Sequence, residues 1–335
     1  MPPSQQYAAS RSAGPQGVPV AASLTDKANA WLGRHPALPY PGRGQTLARW
    51  QVLAAIAADD LCVAKLLEAH YDAQAILHEL HAPATQPGQL WAVWAAEPPG
   101  LALRFDPVTA TLSGTKAWCS GARLVSHALI TATHAQEDAQ GLYAVALDSA
   151  GIEIDDSGWV GLGMQDIATG TLTLSTVPAR QLADAGAYVE RPGFWHGGAG
   201  IAACWYGAAT AIAERLRRDA RAMRDPHAAA HLGAIDVQLA GAGALLRQLA
   251  SRIDAAPDDP HQRAVQQVRQ LLDDVCRDII DRVGRALGPG PLCGDRAHAR
   301  RVADLEVFTR QSHAERELEG VGRHCAGLEG DAWTL

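Results

Sequence analysis

Leu112-Ser113-Gly114-Thr115-Lys116-Ala117-Trp118-Cys119-Ser120-Gly121-Ala122 brings a basic residue, an indole, a hydroxyl and two glycines into one short run. Read as an alternating strand, it puts Lys116, Trp118 and Ser120 on one face. A Trp face can cover a planar conjugated ring, and a Ser hydroxyl two residues on can exchange a hydrogen bond with a ring heteroatom. That pairing suits a flavin. The plainer use of the same residues is a half-buried strand Trp and a turn Ser.

The flanking sequence extends the pattern. Upstream stands Ala96-Glu97-Pro98, and downstream Gly161-Leu162-Gly163-Met164 precedes Thr171-Leu172-Thr173-Leu174-Ser175-Thr176-Val177-Pro178. Taken in order, these resemble the acyl-CoA dehydrogenase family: its G-x-K-x-W-x-[ST]-[GN] segment, its Thr-Glu-Pro, its glycine turn and following strand. The resemblance implies FAD, with Trp118 packed on the ring system, Ser120 near N5, and the backbone of Ala96 and Glu97 serving where the family's Thr is missing. It also implies that Arg224 and the loop around Gly288 hold the far half of FAD across a subunit interface, in a homodimer or homotetramer.

Outward from the run, the periodicity divides the chain. Residues 1–22, rich in Pro, Gly, Ser and Gln, read as a disordered lead. Segment 23–88 reads as helices, with Leu47, Trp50, Leu53 and Ile56 on one stripe. From 89 to 186 the period is two, which predicts a small antiparallel β-barrel or sandwich. Segment 187–325 is helical again. Its stripes run through Ile201, Trp205, Ala208, Ile212 and Leu216, then Leu232 to Ile253, then Val265 to Val283, and last Ala299 to about Leu318. Asp225-Pro226, Asp259-Pro260 and Gly288-Pro289-Gly290 separate them, so a C-terminal four-helix bundle is expected, with 326–335 as a tail. The fold class is α+β.

Bulk properties narrow the function. A net charge of -7 and a pI near 6.0 argue against nucleic acid as partner. Six cysteines, with no C-x-x-C pair, fit a reducing, cytoplasmic setting better than a disulfide framework. No run approaches ~18 uninterrupted apolar residues, so no membrane span is expected. Thirteen histidines invite a metal reading, yet His227 and His231 at i, i+4 have no third ligand in the pattern, and no metal is expected.

Gly198-Ala199-Gly200-Ile201-Ala202-Ala203 fits G-x-G-x-x-A, but a dinucleotide turn needs a buried strand to deliver it, and the preceding residues carry Pro192-Gly193 instead. Small residues here serve close helix packing. The chemistry then turns on a base. Abstracting the proton α to a thioester requires a positioned acceptor while the flavin takes hydride. The resemblance places the family's carboxylate in a Glu-Gly-Thr context that this chain lacks; Ser312 falls near that position and His313 follows. His313, Glu317 and His196 are the candidate bases, an imidazole titrating near ~6.5 in model peptides. The resemblance thus implies α,β-dehydrogenation of an acyl-thioester, with an unspecified electron acceptor. Oxygen-using chemistry with His313 near the flavin is the alternative, and a non-catalytic acyl- or partner-binding relative a third reading.

Overall fold

A computed structural model describes residues 23–184, 186–328 and 333; the expected lead, residues 1–22, and most of the expected tail lie outside the described residues. Helices α1 (Leu24–Arg34), α2 (Thr46–Asp59) and α3 (Leu61–Glu79) come first. Their starts follow from local chemistry: Ser23 and Asp26 form a capping box on α1, and the Asp60 carboxylate accepts from the amides of Cys62 and Val63 at the head of α3.

Eight strands follow: β1 (Trp91–Trp94), β2 (Leu103–Asp106), β3 (Thr111–Ser120), β4 (His127–His134), β5 (Ala139–Ala146), β6 (Ile152–Asp155), β7 (Thr169–Pro178) and β8 (Arg180–Ala183). They hydrogen-bond in the order β6-β7-β3-β2-β4-β5-β8, with β1 also on β4. Two expectations need correction. The sheet is open, since no pairing joins β6 to β8 among the described residues. Nor is it wholly antiparallel, because β1 and β2 both run parallel to β4, one after the other. The segment between them holds Pro98-Pro99, which has no N–H to give to a ladder, so the two short strands cannot merge into one long edge.

The helical region then runs through α4 (Ala187–Glu190), α5 (Pro192–Arg217), α6 (Arg221–Arg224), α7 (Pro226–Ala255), α8 (Gln262–Leu287), α9 (Gly290–Gly294), α10 (Arg296–Phe308) and α11 (Glu315–Ala326). The stripe of α8 is buried as its spacing predicts: Val265, Val268, Leu272, Val275, Ile279 and Val283 all face inward. Asp225 caps α7 and Pro226 occupies its first turn. Helices α5, α7 and α8 pack on one another, and α2 lies against both α5 and α7. By length and composition α7 alone among the described helices could cross a membrane, with mean hydropathy 1.3 and 22% of that window buried.

The last expected helix is not continuous. α10 stops at Phe308, a 3-10 turn covers Thr309–Gln311, and Ser312 and Ala314 leave helical backbone before α11 begins. The break is held from α8, where Arg269 donates to the Gln311 carbonyl at 3.3 Å and Gln270 to Ser312 Oγ at 2.8 Å. A continuous helix would keep that carbonyl for itself.

Candidate active site

Strand β3 does not keep its alternation. Between Lys116 and Cys119 it carries a bulge against β7, and Trp118 sits there at φ +60°. The bulge turns Lys116 inward, to 2% exposure, while Trp118 turns outward at 59%. Lys116, expected on the same face as Trp118, therefore belongs to the interior. Its ammonium donates to the Thr131 carbonyl and hydroxyl, both at 2.8 Å, and to Glu97 Oε1 at 3.2 Å. Burial pulls the Lys116 pKa down, opposed by the Glu97 charge beside it. Glu97 is further engaged by the Thr131 hydroxyl at 2.9 Å and by the Gln140 amide.

Trp118 nonetheless does not face open solvent alone. It borders a cavity of about 640 Å³ between the sheet and the helices, together with Ser120, Ala96, Ile201, Phe308 and His313. Ser120 is set by two contacts: its hydroxyl shares a 2.8 Å hydrogen bond with Thr169, and its carbonyl accepts from the Trp94 indole at 3.2 Å. Loop residues Trp159 and Met164 close one side, tied by the Trp159 indole to the Met164 carbonyl at 3.2 Å. Ala95 and Ala96, just past the end of β1, are on the lining, and the Ala95 carbonyl accepts from the Thr131 hydroxyl at 3.4 Å.

The titratable groups on this lining are Lys65, Arg269, Arg310 and His313; no carboxylate is among them. A neighbouring cavity of about 580 Å³ shares Ala95, Ala96, Trp118 and His313 with the first, and adds Glu97, Gln140, Phe194 and Arg316. His313 thus stands at the junction of both chambers, on the corner between α10 and α11.

The other expected residues lie elsewhere. Glu317 lines neither cavity; it meets Arg269 at 3.5 Å and accepts from Gln270 at 2.9 Å. Burial works against its charge, but Arg269 and Gln270 hold the carboxyl below its usual range. His196 is 2% exposed, with Nε2 3.0 Å from the Asp259 carbonyl, and burial lowers its pKa. Arg224 and Gly288 also line neither cavity. They share one end of the bundle, where Arg221 donates to the Leu287 carbonyl at 2.8 Å. Among the described residues no group of three metal-ligating side chains occurs.

Arg269 is the residue that sequence reading passed over. It is a cation at 7% exposure, beside the apolar stripe of α8, donating to the Gly198 carbonyl at 2.9 Å and lying over the Trp205 ring at 5.0 Å. An Arg placed between Val268 and Leu272 was the available signal.

The fold as a whole recurs in solved structures. TdsC, the dibenzothiophene monooxygenase of Paenibacillus sp. A11-2, in complex with FMN and indole, superposes with a TM-score of 0.73 at 16% identity, over 90% of this chain and 95% of that one. The fold is that of the acyl-CoA dehydrogenase-type flavoproteins. KijD3 bound to FMN and dTDP-3-amino-2,3,6-trideoxy-4-keto-3-methyl-D-glucose gives 0.72 at 18% identity, over 85% and 81% of the two chains. Butyryl-CoA dehydrogenase from Megasphaera elsdenii gives 0.70 at 14%, over 84% and 82%. No family model and no curated protein matches the sequence.

Proposed function

We propose that this chain is a flavin-dependent oxidoreductase of the oxygen-using kind, oxidising a small organic substrate in the chambers around Trp118 and His313. One observation carries the choice over α,β-dehydrogenation: the larger of the two chambers presents an imidazole and no carboxylate. Glu97 is taken up by Lys116, Thr131 and Gln140, and Glu317 by Arg269 and Gln270, so neither is free as a base for an acyl-thioester. The monooxygenase TdsC among the similar structures supports the same reading.

The residues present suit a flavin. An outward-turned indole, a hydroxyl two residues away and the chain at Ala95 and Ala96 would offer a stacking face and edge partners for a tricyclic ring. When bound, a reduced flavin supplies the electrons with which oxygen is activated. Trp118 would cover the ring and Ser120 and Thr169 would meet its edge, while Lys65, Arg269 and Arg310 on the lining are each paired with a carboxylate, Glu68, Glu317 and Asp273. His313 holds or releases the proton that the substrate exchanges. Arg224 and Gly288, which the family resemblance assigns to the far half of FAD across a subunit interface, lie off both cavities of their own chain, so FAD would draw them from a second copy in a homodimer or homotetramer, whereas FMN would need none.

The test is spectroscopic. Protein titrated with FMN and with FAD should take up a flavin, and after reduction by a separate reductase should consume oxygen without any acyl-CoA. Anaerobic bleaching by an acyl-CoA panel would transfer the assignment to dehydrogenation, and protein that takes neither flavin would end both readings.

A further inference from the structure

The corner that carries His313 is braced from inside the bundle. Gln270 donates through Nε2 both to Ser312 Oγ at 2.8 Å and to Glu317 Oε2 at 2.9 Å, and Arg269 Nε lies 3.5 Å from that same oxygen. Oε2 of Glu317 is therefore committed. Oε1 turns to His313: it accepts the backbone N–H at 3.4 Å and lies 3.5 Å from Nδ1. The carboxylate side chain is 15% exposed and fixed, whereas the imidazole is 71% exposed and has freedom to turn.

An ionised carboxylate only accepts hydrogen bonds, so a neutral imidazole beside it is lowest in energy with its proton on the near nitrogen. We propose that Glu317 is a positioning residue, holding the proton on Nδ1 of His313 and leaving Nε2 bare as the basic atom at the junction of the two chambers. This rests on the reading of His313 as the proton-handling group, and it moves Glu317 from candidate base to the group behind the base. The other charged groups on the two cavities are Lys65 and Arg269, paired with Glu68 and Glu317, together with Arg310 on the first, and Arg316 and Glu97 on the second. The lysine and the arginines donate only and cannot hold a proton on Nδ1, and Glu97 is occupied by Lys116, Thr131 and Gln140. A plain helix-capping role for Glu317, third residue of α11, accounts for its contact with the His313 N–H but makes no demand on the ring.

Nitrogen NMR separates the two roles without flavin or substrate. Protein carrying nitrogen-15 histidine is observed in alkaline buffer, where imidazoles are neutral, and the His313 signals are those missing from His313→Asn. The expected spectrum shows His313 mainly protonated on Nδ1. In Glu317→Ala that preference is lost and the Nε2-protonated form becomes the major one. Should α11 loosen in that variant, seen as lost helical circular dichroism, Glu317→Gln keeps a capping amide while removing the charge, and is expected to weaken the preference. Wild-type His313 protonated mainly on Nε2 overturns the proposal outright, as does an Nδ1 preference that survives both substitutions. A chain that shows the Nδ1 form yet takes no flavin would remove the flavin reading and leave this pairing standing.

Discussion

A single bulge decides what Trp118 can do. Held at φ +60°, its indole leaves the plane of the strand and meets the cavity, while Lys116 is drawn inside. Trp118 and Ser120 stood out in the sequence because their run, with its glycines in register, resembles a family segment, and both line the cavity. The bulge did not, since the left-handed residue is a Trp and not a glycine, and β7 imposes it from 50 residues away in sequence, roughly. Trp118→Ala should weaken flavin binding by about tenfold, the worth of one aromatic stack of ~1 kcal/mol or slightly more, measured by fluorescence titration. Ser120→Ala should cost less, about threefold to tenfold, because one neutral hydrogen bond is lost. His70 gives a second prediction at this scale. It is 3% exposed, accepts the Trp91 N–H on Nδ1 at 3.3 Å, and burial lowers its pKa to about 4. The unfolded chain, with an imidazole pKa near ~6.5, binds the proton more readily, so stability is full above ~6.5 and drains away as the pH falls towards 4, by about 3 kcal/mol in all. Urea midpoints at pH 7.5 and 5.0 should differ in the wild type, and differ less in His70→Gln.

Between elements, α2 and α5 approach each other closely. A Cβ on Gly207 would stand 2.1 Å from the Ala54 carbonyl oxygen, a backbone atom that cannot rotate aside. Gly207→Ala should therefore destabilise the fold by roughly 2 to 3 kcal/mol, read as a lowered denaturation midpoint, whereas Gly233→Ala, with open space around it, should not. The small residues of Gly198–Ala203 were correctly legible as helix and not as a nucleotide turn: all lie within α5, where a Cβ on Gly200 would touch Leu53 at 3.4 Å. The break after Phe308 was illegible for the opposite reason. No Gly or Pro follows Phe308 before α11 to signal a stop, and the donors that hold the break, Arg269 and Gln270, are on α8. Local sequence has no record of a partner that arrives from another element.

At the scale of the whole molecule, the order helices, strands, helices was readable from the change of period alone, and the strand partners were not. Periodicity tells which face of a strand is buried, but not which edge it shares, so an open mixed sheet and a closed barrel look alike in the sequence. The cavity lies where the sheet meets α3, α5 and α10, so a ligand there bridges both layers. Ligand that binds only the folded chain adds stability as its concentration passes Kd, about 2.7 kcal/mol at a hundredfold excess over Kd. FMN or FAD should accordingly raise Tm by several degrees in a saturable way, and the rise should shrink in Trp118→Ala. The distribution of thiols has a practical corollary. Cys62, Cys119, Cys204 and Cys276 are buried, with burial pushing the first two to about 12, so in the native state those two stay protonated and all four are out of reach of an alkylating dye. Cys293 is exposed and Cys325 partly so, the latter near the end of α11. With Cys293 replaced by Ser, a fluorophore attached at Cys325 would report, in real time, whether the helix behind His313 shifts when a flavin docks.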